Sequence, residues 1–167
     1  HARLSTRRRC RLLTAQGYSN SLAAVNARTG QLIWHYQLVR HDLWDYDTAS
    51  PPSLGTLRVS GKRIDAVIQP SKTGNLFVFD RSTGAPVWPI EQRAVPLSDV
   101  PGEAASPTQP FPTKPPPFDR QTMSEEDLID FTPELHAEAK KIASRYKLGG
   151  LFTPPIVRGT GGKQGVM

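Results

Sequence analysis

The chain has 167 residues, of which 37% are hydrophobic and 22% charged, so it has the length of one ordinary domain. Its 16 prolines and 13 glycines exclude a mainly helical bundle. The single cysteine, Cys10, excludes an internal disulfide framework and a multi-cysteine zinc site, and no apolar run in the sequence is long enough to predict a membrane span.

The net charge of +6 is concentrated at the N-terminal end. Residues 1–17 hold five arginines, at positions 3, 7, 8, 9 and 11, and no acidic residue, so the remaining chain is close to neutral. Arginine clusters bind phosphate backbones, and nucleic-acid binding is one interpretation of this segment. Because the cluster has no interleaved aromatic residues, we expect no nucleic-acid partner and treat residues 1–18 as a separate basic segment.

Residues 19–95 are predicted to form successive hairpins. A short apolar run, Ser21–Val25, is followed by turn residues at 26–30 and by the alternating, β-rich segment 31–37. The same order returns downstream, with strands predicted at 64–68 and 75–79, turns at 70–74 and 80–84, and the start of another strand at 85–88. Successive hairpins of this kind indicate an antiparallel meander.

Two of the turns form an internal repeat 54 residues apart. In each, an Asn or Asp lies eight residues before a Trp, and a Thr-Gly pair ends four residues before it. The Asx side chain can cap the amides of the turn, Gly can adopt the left-handed conformation, and the Trp ring can pack against a neighbouring unit. Recurrence at this distance suggests blades of a β-propeller; the alternative is two hairpins that share ordinary turn residues.

Residues 96–150 are predicted to form a proline-rich insertion followed by one helix. Eight prolines fall between positions 95 and 118, and we expect no regular element in that stretch. Thr132 and Pro133 then predict a helix start. The apolar residues at positions 135, 139, 142, 143 and 146 recur at helical spacing, and we interpret them as a packing stripe.

Residues 36–47 concentrate chemically active side chains directly after a predicted strand. They read Tyr-Gln-Leu-Val-Arg-His-Asp-Leu-Trp-Asp-Tyr-Asp, with three acids, one histidine and three aromatic residues. A carboxylate among aromatic rings is partly desolvated, which raises its affinity for a proton or a divalent cation and suits a general base. The alternative is that the acids cap turns while the aromatic residues pack between blades, and composition alone leaves both open.

Several longer motifs resemble one family, the dehydrogenases that depend on pyrroloquinoline quinone (PQQ), and within it the membrane-bound glucose dehydrogenase group. The resemblance runs from about residue 19 to about residue 155. It rests on residues 36–37 (Tyr-Gln), 41–47 (His-Asp-Leu-Trp-Asp-Tyr-Asp), 69–81 (Gln-Pro-Ser-Lys-Thr-Gly-Asn-Leu-Phe-Val-Phe-Asp-Arg), 106–111 (Ser-Pro-Thr-Gln-Pro-Phe) and 151–155 (Leu-Phe-Thr-Pro-Pro).

The resemblance implies an all-β fold, a partial β-propeller of about three blades from an eight-bladed quinoprotein propeller, with the quinone in a central funnel. It implies oxidation of a glucose-like sugar or an alcohol by hydride transfer to PQQ. In the family, the Asp of the Trp-Asp pair is the catalytic base and lies beside Ca²⁺ or Mg²⁺, which gives Asp45 both a catalytic and a metal-binding role. The basic residue of the Pro-x-(Lys/Arg)-x-Gly turn contacts the reactive oxygens of the quinone, which gives Lys72 the cofactor-binding role.

Much of the family pattern is absent from 167 residues, so we expect a fragment that is inactive alone. Residues 151–167 are interpreted as an incomplete blade whose last residues, 159–167, do not match the pattern. The resemblance implies that the parent protein works in the periplasm, can be attached to the inner membrane and passes electrons to ubiquinone. The alternative is a non-catalytic β-propeller, a scaffold or binding protein of the same repeat family, which needs neither Asp45 nor Lys72.

Overall fold

The computed structural model describes residues 17–166. The five N-terminal arginines and Cys10 therefore lie outside the described residues. The strands are β1 (Ser21–Val25), β2 (Leu32–Gln37), β3 (Ser53–Val59), β4 (Lys62–Pro70), β5 (Leu76–Asp80), β6 (Ile90–Ala94), β7 (Thr108–Pro112), β8 (Tyr146–Lys147) and β9 (Gly165–Val166). One α-helix, α1 (Pro133–Ala143), and two 3-10 helices, Glu125–Asp127 and Thr160–Gly162, complete the described elements.

Three antiparallel sheets follow one another along the chain. Strands β1 and β2 form the first sheet, β3, β4 and β5 the second, and β6 and β7 the third. Two-residue strands β8 and β9 add a short parallel pair. The prediction of a mainly β chain with one helix is therefore confirmed, as is the antiparallel meander.

The two repeated turns have the same geometry. In the first, Asn26 Oδ1 accepts hydrogen bonds from the amides two and three residues further on, at 2.9 and 3.1 Å. In the second, Asp80 Oδ1 accepts from the corresponding amides at 2.9 and 3.0 Å. Gly30 and Gly84 close the turns with φ of +71°, a conformation that Gly adopts without steric cost. The predicted roles of the Asx and Gly residues are confirmed.

The Trp of the first repeat packs on the turn of the second. Trp34 Nε1 donates a hydrogen bond to the carbonyl oxygen of Arg81 at 3.0 Å. The indole lies so close to Gly84 that a Cβ added there would be 2.6 Å from two of its carbons. At the equivalent Gly30, no atom of the described residues lies within 4 Å of such a Cβ. Trp34 therefore joins the first sheet to the second, as the repeat predicts.

The core lies between these two sheets. The buried hydrophobic cluster is Leu38, Val67, Phe77 and Phe79, and the partly buried residues packed against it are Leu22, Trp34, Tyr36 and Ile90. The rings of Trp34 and Tyr36 lie 5.9 and 4.9 Å from that of Phe79. Burial of these aromatic side chains supplies the main packing energy of the hairpins.

The expectation that no regular element forms in the proline-rich stretch is wrong. Strand β7 lies within it and pairs with β6 over five residues. Hydrogen bonds from Val95 N to Pro107 O and from Thr113 N to Pro89 O set the ladder. Pro110 and Pro112 therefore occupy positions whose missing N–H would point away from β6. Prolines spaced two apart remove no donor from this ladder, so the strand survives.

The predicted strand start at 85–88 is also wrong. That stretch makes only an isolated bridge between Phe79 and Pro86, and the next strand begins at Ile90. Hydrogen bonds from Val87 N to Val78 O and from Asp80 N to Ala85 O flank Pro86, whose missing N–H would point away from β5. The next donor toward β5 would be the N–H of residue 89, which Pro89 lacks, so the ladder does not continue.

Helix α1 begins where the sequence predicts. Thr132 Oγ1 accepts a hydrogen bond from Leu135 N, and Pro133 occupies the first turn. Its apolar stripe, however, is not the predicted packing surface. Within the helix only Ala143 is buried, Leu135 and Ile142 are exposed, and residue 146 lies in β8 beyond the helix end. Neither α1 nor any other helix within residues 17–166 combines the length and apolarity that crossing a membrane requires.

Candidate active site

The loop that follows β2 is fixed at its base. Leu38 and Val39 are fully buried. The backbone N–H and carbonyl of the next residue, Arg40, both form hydrogen bonds with the side-chain amide of Gln109 in β7. The N–H donates to Gln109 Oε1 at 2.8 Å, and the carbonyl accepts from Gln109 Nε2 at 2.6 Å. Gln109 itself has no exposed surface, so both of its hydrogen bonds are buried and hold the loop to the third sheet.

Two residues inside the loop, Asp42 and His41, hold its shape through hydrogen bonds. Asp42 Oδ1 accepts a hydrogen bond from the amide of Trp44 at 2.9 Å, and Asp42 Oδ2 accepts from Asn20 Nδ2 at 2.6 Å. His41 Nδ1 lies 2.7 Å from the carbonyl oxygen of Ala104. For Asp42, the interpretation that the acids of this segment cap turns is therefore the one that the geometry favours.

Asp45 and Lys72, the two predicted site residues, are brought together. Lys72 Nζ donates to the carbonyl oxygen of Asp45 at 3.0 Å and lies 3.5 Å from Asp45 Oδ2. The same ammonium forms an ion pair with Asp47. The three residues come from two separate loops, so this arrangement is made by the fold and not by proximity in sequence.

A buried hydrogen-bond network fixes the turn that presents Lys72. Ser71 Oγ and Thr73 Oγ1 lie 2.6 Å apart, and Asn75 Nδ2 donates to Thr73 Oγ1 at 3.1 Å. All three polar side chains are buried, whereas Lys72 between them points outward. Gly74 has φ of +69°, and a Cβ there would lie 2.9 Å from Gln121 Nε2. The turn is therefore rigid beneath a projecting ammonium.

The electrostatics keep Lys72 charged. The hydrogen bond to Asp47, reinforced by the negative charge of Asp45, raises the pKa of Lys72 above its ordinary value even though desolvation opposes the shift. The side chain of Asp45 is 89% exposed and that of Lys72 41% exposed. The site therefore presents an accessible carboxylate beside a positively charged group.

This arrangement can accept a proton and stabilise a negatively charged oxygen. The Asp45 carboxylate is accessible to a substrate hydroxyl, and an ammonium at hydrogen-bond distance stabilises charge that develops nearby. Carboxylate oxygens are also the ligands that Ca²⁺ and Mg²⁺ prefer. Within the part of the chain that the structure describes, no group of three or more His, Cys, Asp or Glu side chains is arranged to hold a metal ion. Asp45 can therefore supply one ligand of such a site but not the set.

Two contributors were not assigned roles from the sequence. Asp47 belongs to the motif, but its ion pair with Lys72 depends on how two loops approach each other, which no spacing reveals. Gln109 lies within the motif at residues 106–111. The sequence feature that could have indicated a role for it is its position as an amide side chain between prolines. Its two hydrogen bonds to the backbone of Arg40 depend on the pairing of β7 with β6, which motif spacing does not reveal.

The chain is similar to known proteins along most of its length. It matches the family model described as PQQ, glucose/ethanol/alcohol dehydrogenase, β-propeller domain, over residues 9–165. It is 37% identical over 149 residues to the quinoprotein glucose dehydrogenase of Escherichia coli (strain K12). The aligned region covers 86% of this chain and 18% of that protein. It is 36% identical over 143 residues to the glycerol dehydrogenase large subunit of Gluconobacter oxydans (strain 621H), covering 83% of this chain and 19% of that protein.

Among solved structures, the quinohemoprotein alcohol dehydrogenase from Comamonas testosteroni aligns at 28% identity with a TM-score of 0.42, over 58% of this chain and 14% of that one. The chain spans about 18% of the length of the quinoprotein glucose dehydrogenases it matches. The family match extends over nearly the whole chain, including both ends of the stretch on which the resemblance rests. The chain therefore belongs to the β-propeller family of PQQ-dependent glucose, ethanol and alcohol dehydrogenases, and it forms part of such a propeller.

Proposed function

We propose that this chain supplies the catalytic base and a quinone-contacting lysine to a PQQ-dependent dehydrogenase that oxidises a sugar or an alcohol. The observation that carries the proposal is the meeting of Asp45 and Lys72 across two loops, with Lys72 Nζ 3.0 Å from the Asp45 carbonyl oxygen. A propeller that served only as a scaffold would need neither an exposed carboxylate nor a rigidly presented ammonium beside it.

Each residue has a distinct task in this reaction. The Asp45 carboxylate takes the proton of the substrate hydroxyl as the carbon–oxygen double bond forms. PQQ bound at this site would supply the acceptor for the hydride that leaves the substrate carbon. The Lys72 ammonium, held by its ion pair with Asp47, would contact the bound quinone and stabilise negative charge on one of its oxygens.

A divalent cation beside Asp45 would polarise the same reacting oxygens. Ca²⁺ or Mg²⁺ suits an oxygen ligand such as the Asp45 carboxylate, and its other ligands would have to come from elsewhere in a complete propeller. The substrate belongs to the sugars and simple alcohols named for the relatives, and glucose is the substrate to test first because of the match to quinoprotein glucose dehydrogenase. We further propose a periplasmic location, attachment of the whole protein to the inner membrane and ubiquinone as electron acceptor.

The test uses a chimera in which residues 19–155 replace the matching segment of the E. coli quinoprotein glucose dehydrogenase. This supplies the rest of the propeller around the site. With PQQ and Ca²⁺, we expect the chimera to oxidise glucose, measured by dye reduction. Asp45→Asn should lower kcat by roughly 10²- to 10⁴-fold, because the amide keeps the shape but cannot accept the proton. PQQ binding, measured by fluorescence titration, should survive in part.

The lysine is tested in the same chimera. Lys72→Ala should lower kcat by roughly 10²- to 10³-fold, by analogy with the loss of one oxyanion donor. Lys72→Arg should recover part of the rate, since it restores the charge with a different geometry. Lys62→Ala is the matched control, because Lys62 is an exposed lysine at the opposite end of β4 from Lys72. If Asp45→Asn and Lys72→Ala both behave like Lys62→Ala, neither residue serves catalysis and the site is misassigned.

A further inference from the structure

The two aromatic residues on either side of Asp45 are tied to one distant segment. Trp44 Nε1 donates to the carbonyl oxygen of Thr153 at 2.7 Å, and the Tyr46 hydroxyl donates to that of Leu151 at 2.7 Å. The segment 151–153 thus accepts a hydrogen bond from each neighbour of Asp45.

Ring packing strengthens the same connection. The rings of Trp44 and Tyr46 are nearly parallel, with centroids 5.9 Å apart. Phe152, which lies between the two accepting residues, packs edge-on against both rings at 5.2 and 5.8 Å. Phe152 is only 4% exposed and also packs against Phe111 of β7 at 5.5 Å. The three rings form an aromatic clamp, made of Trp44, Tyr46 and Phe152.

The accepting segment is itself held rigidly. Leu151 N donates to the carbonyl oxygen of Gln121 at 2.8 Å, and Thr153 N donates to that of Gly150 at 2.9 Å. The backbone of Gly149 passes so close to Thr153 that a Cβ at position 149 would overlap its hydroxyl. The clamp therefore ties the loop to a fixed point and not to another mobile loop.

Asp45 needs such support because its own backbone is unfavourable. Its φ is +61°, in the left-handed region, which Asp adopts more readily than most residues other than Gly but which is still less favourable than the right-handed and extended regions. Its side chain is 89% exposed and so makes little packing contact of its own. A residue in such a conformation persists only when the surrounding structure holds it there. The clamp fixes the residues immediately before and after Asp45, which determines the direction of its Cα–Cβ bond.

We propose that Trp44 and Tyr46 are positioning residues, which hold Asp45 in the left-handed conformation through the aromatic clamp on residues 151–153. The proposal rests on the proposed function in one respect: a catalytic role of Asp45 is the reason why the direction of its side chain matters. The holding of the backbone is a property of this chain alone and can be measured without cofactor, metal or substrate.

The experiment is NMR on the full 167-residue chain with ¹⁵N- and ¹³C-labelled aspartate. The amide-to-Hα coupling and the Cα and Cβ shifts of Asp45 report its φ. Tyr46→Phe keeps the ring and removes only the hydroxyl donor. Loss of one hydrogen bond should raise the population of Asp45 outside the left-handed region about five-fold. Trp44→Phe, which removes the indole donor, should move the same signals in the same direction.

Tyr18→Phe is the matched control, because Tyr18 is 58% exposed and its ring contacts His35 of β2, not residues 151–153. It should leave the Asp45 signals unchanged. Amide signals of β3, β4 and β5 report that each variant is folded. Should Tyr46→Phe and Trp44→Phe change the signals of residues 151–153 but leave the coupling and shifts of Asp45 as in the parent, the clamp is merely structural and the proposal is overturned. Inactivity of the chimera described above would instead contradict the proposed function and leave this result standing.

Discussion

At the scale of single residues, the family resemblance assigns a role to Asp45 and another to Lys72, from two separate motifs, and the structure brings the two residues into contact. Their catalytic roles stay predictions. Composition could not have chosen among the three acids of the loop, because their tasks depend on backbone geometry. Asp42 caps a turn, Asp47 pairs with Lys72, and Asp45 is exposed at a positive φ. None of these differences is encoded in spacing along the chain.

The two repeated turns give a prediction, at the scale of single residues, about how stability depends on pH. Hydrogen bonds from the amides of Thr83 and Ser82 hold the pKa of Asp80 below its ordinary value of 3.8. Because the pKa of Asp80 is lower in the folded chain than in the unfolded chain, its carboxylate stabilises the fold above pH 3.8. That stabilisation is lost as the pH falls through the lowered pKa of the folded chain. Asp80→Asn should therefore change the urea midpoint little at about pH 6, because Asn26 makes the same bonds in the twin turn. At about pH 2.5 the variant should lose less stability than the parent.

The reciprocal change is the control. Asn26→Asp should add acid sensitivity to the first turn, since a carboxylate there would accept the same two amides. Equal pH dependence of the urea midpoint in the parent, Asp80→Asn and Asn26→Asp would mean that these turn bonds do not stabilise the carboxylate form.

At the scale of elements, the hairpins with Asx-Gly turns were predictable because the turn chemistry is local. Strand β3 was not predicted, since Pro51, Pro52 and Gly55 obscure its alternation, and only pairing with β4 selects it. The density of prolines argues against strand β7, but whether a proline removes a ladder donor depends on its register with the partner strand, which the sequence alone does not show. The prediction that the apolar stripe of α1 packs against the fold was wrong. Helical periodicity shows that one face of the helix is apolar but does not show that another element covers that face.

The contact between the sheets gives a prediction with an internal control. Gly84→Ala must place a Cβ 2.6 Å from the Trp34 ring and hold the new side chain at φ of +71°. Gly30→Ala has the same φ but meets no described atom within 4 Å. We expect about 1–2 kcal/mol of destabilisation from the backbone alone at position 30. At position 84, overpacking should add about 1–3 kcal/mol.

Urea unfolding of both variants measures the difference. In a Trp34→Ala background the two glycine substitutions should cost the same, because the ring that the added methyl group would meet at position 84 is gone. A difference that persisted without Trp34 would assign the extra cost to something other than the contact between the first and second sheets.

At the scale of the whole molecule, three sheets in sequence and a family match over residues 9–165 make this chain part of a propeller. The site that it carries is open to water, with Asp45 89% exposed. Catalysis by electrostatic stabilisation is strongest where water is excluded. The chain spans about 18% of the length of its relatives, so most of the walls of such a site are not among its residues.

We therefore expect the 167-residue chain alone to show no dehydrogenase activity. Dye reduction with glucose, PQQ and Ca²⁺ should not exceed a blank that contains cofactor without protein. Size-exclusion chromatography of the same sample should show association, because the sheets have strand edges that can pair with other copies. Clear turnover above the blank would mean that the described residues complete the site by themselves.

The aromatic clamp closes over a long stretch of chain. Tyr46 and Trp44 bond to residues 105 and 109 positions further along the chain, and Arg40 to a residue 69 positions further. The entropic cost of closing such loops must be met before the contacts stabilise the fold, whereas the hairpins form from contacts close in sequence. We therefore expect the loop that carries Asp45 to be among the last described parts of the chain to reach its native shape, wherever the chain folds.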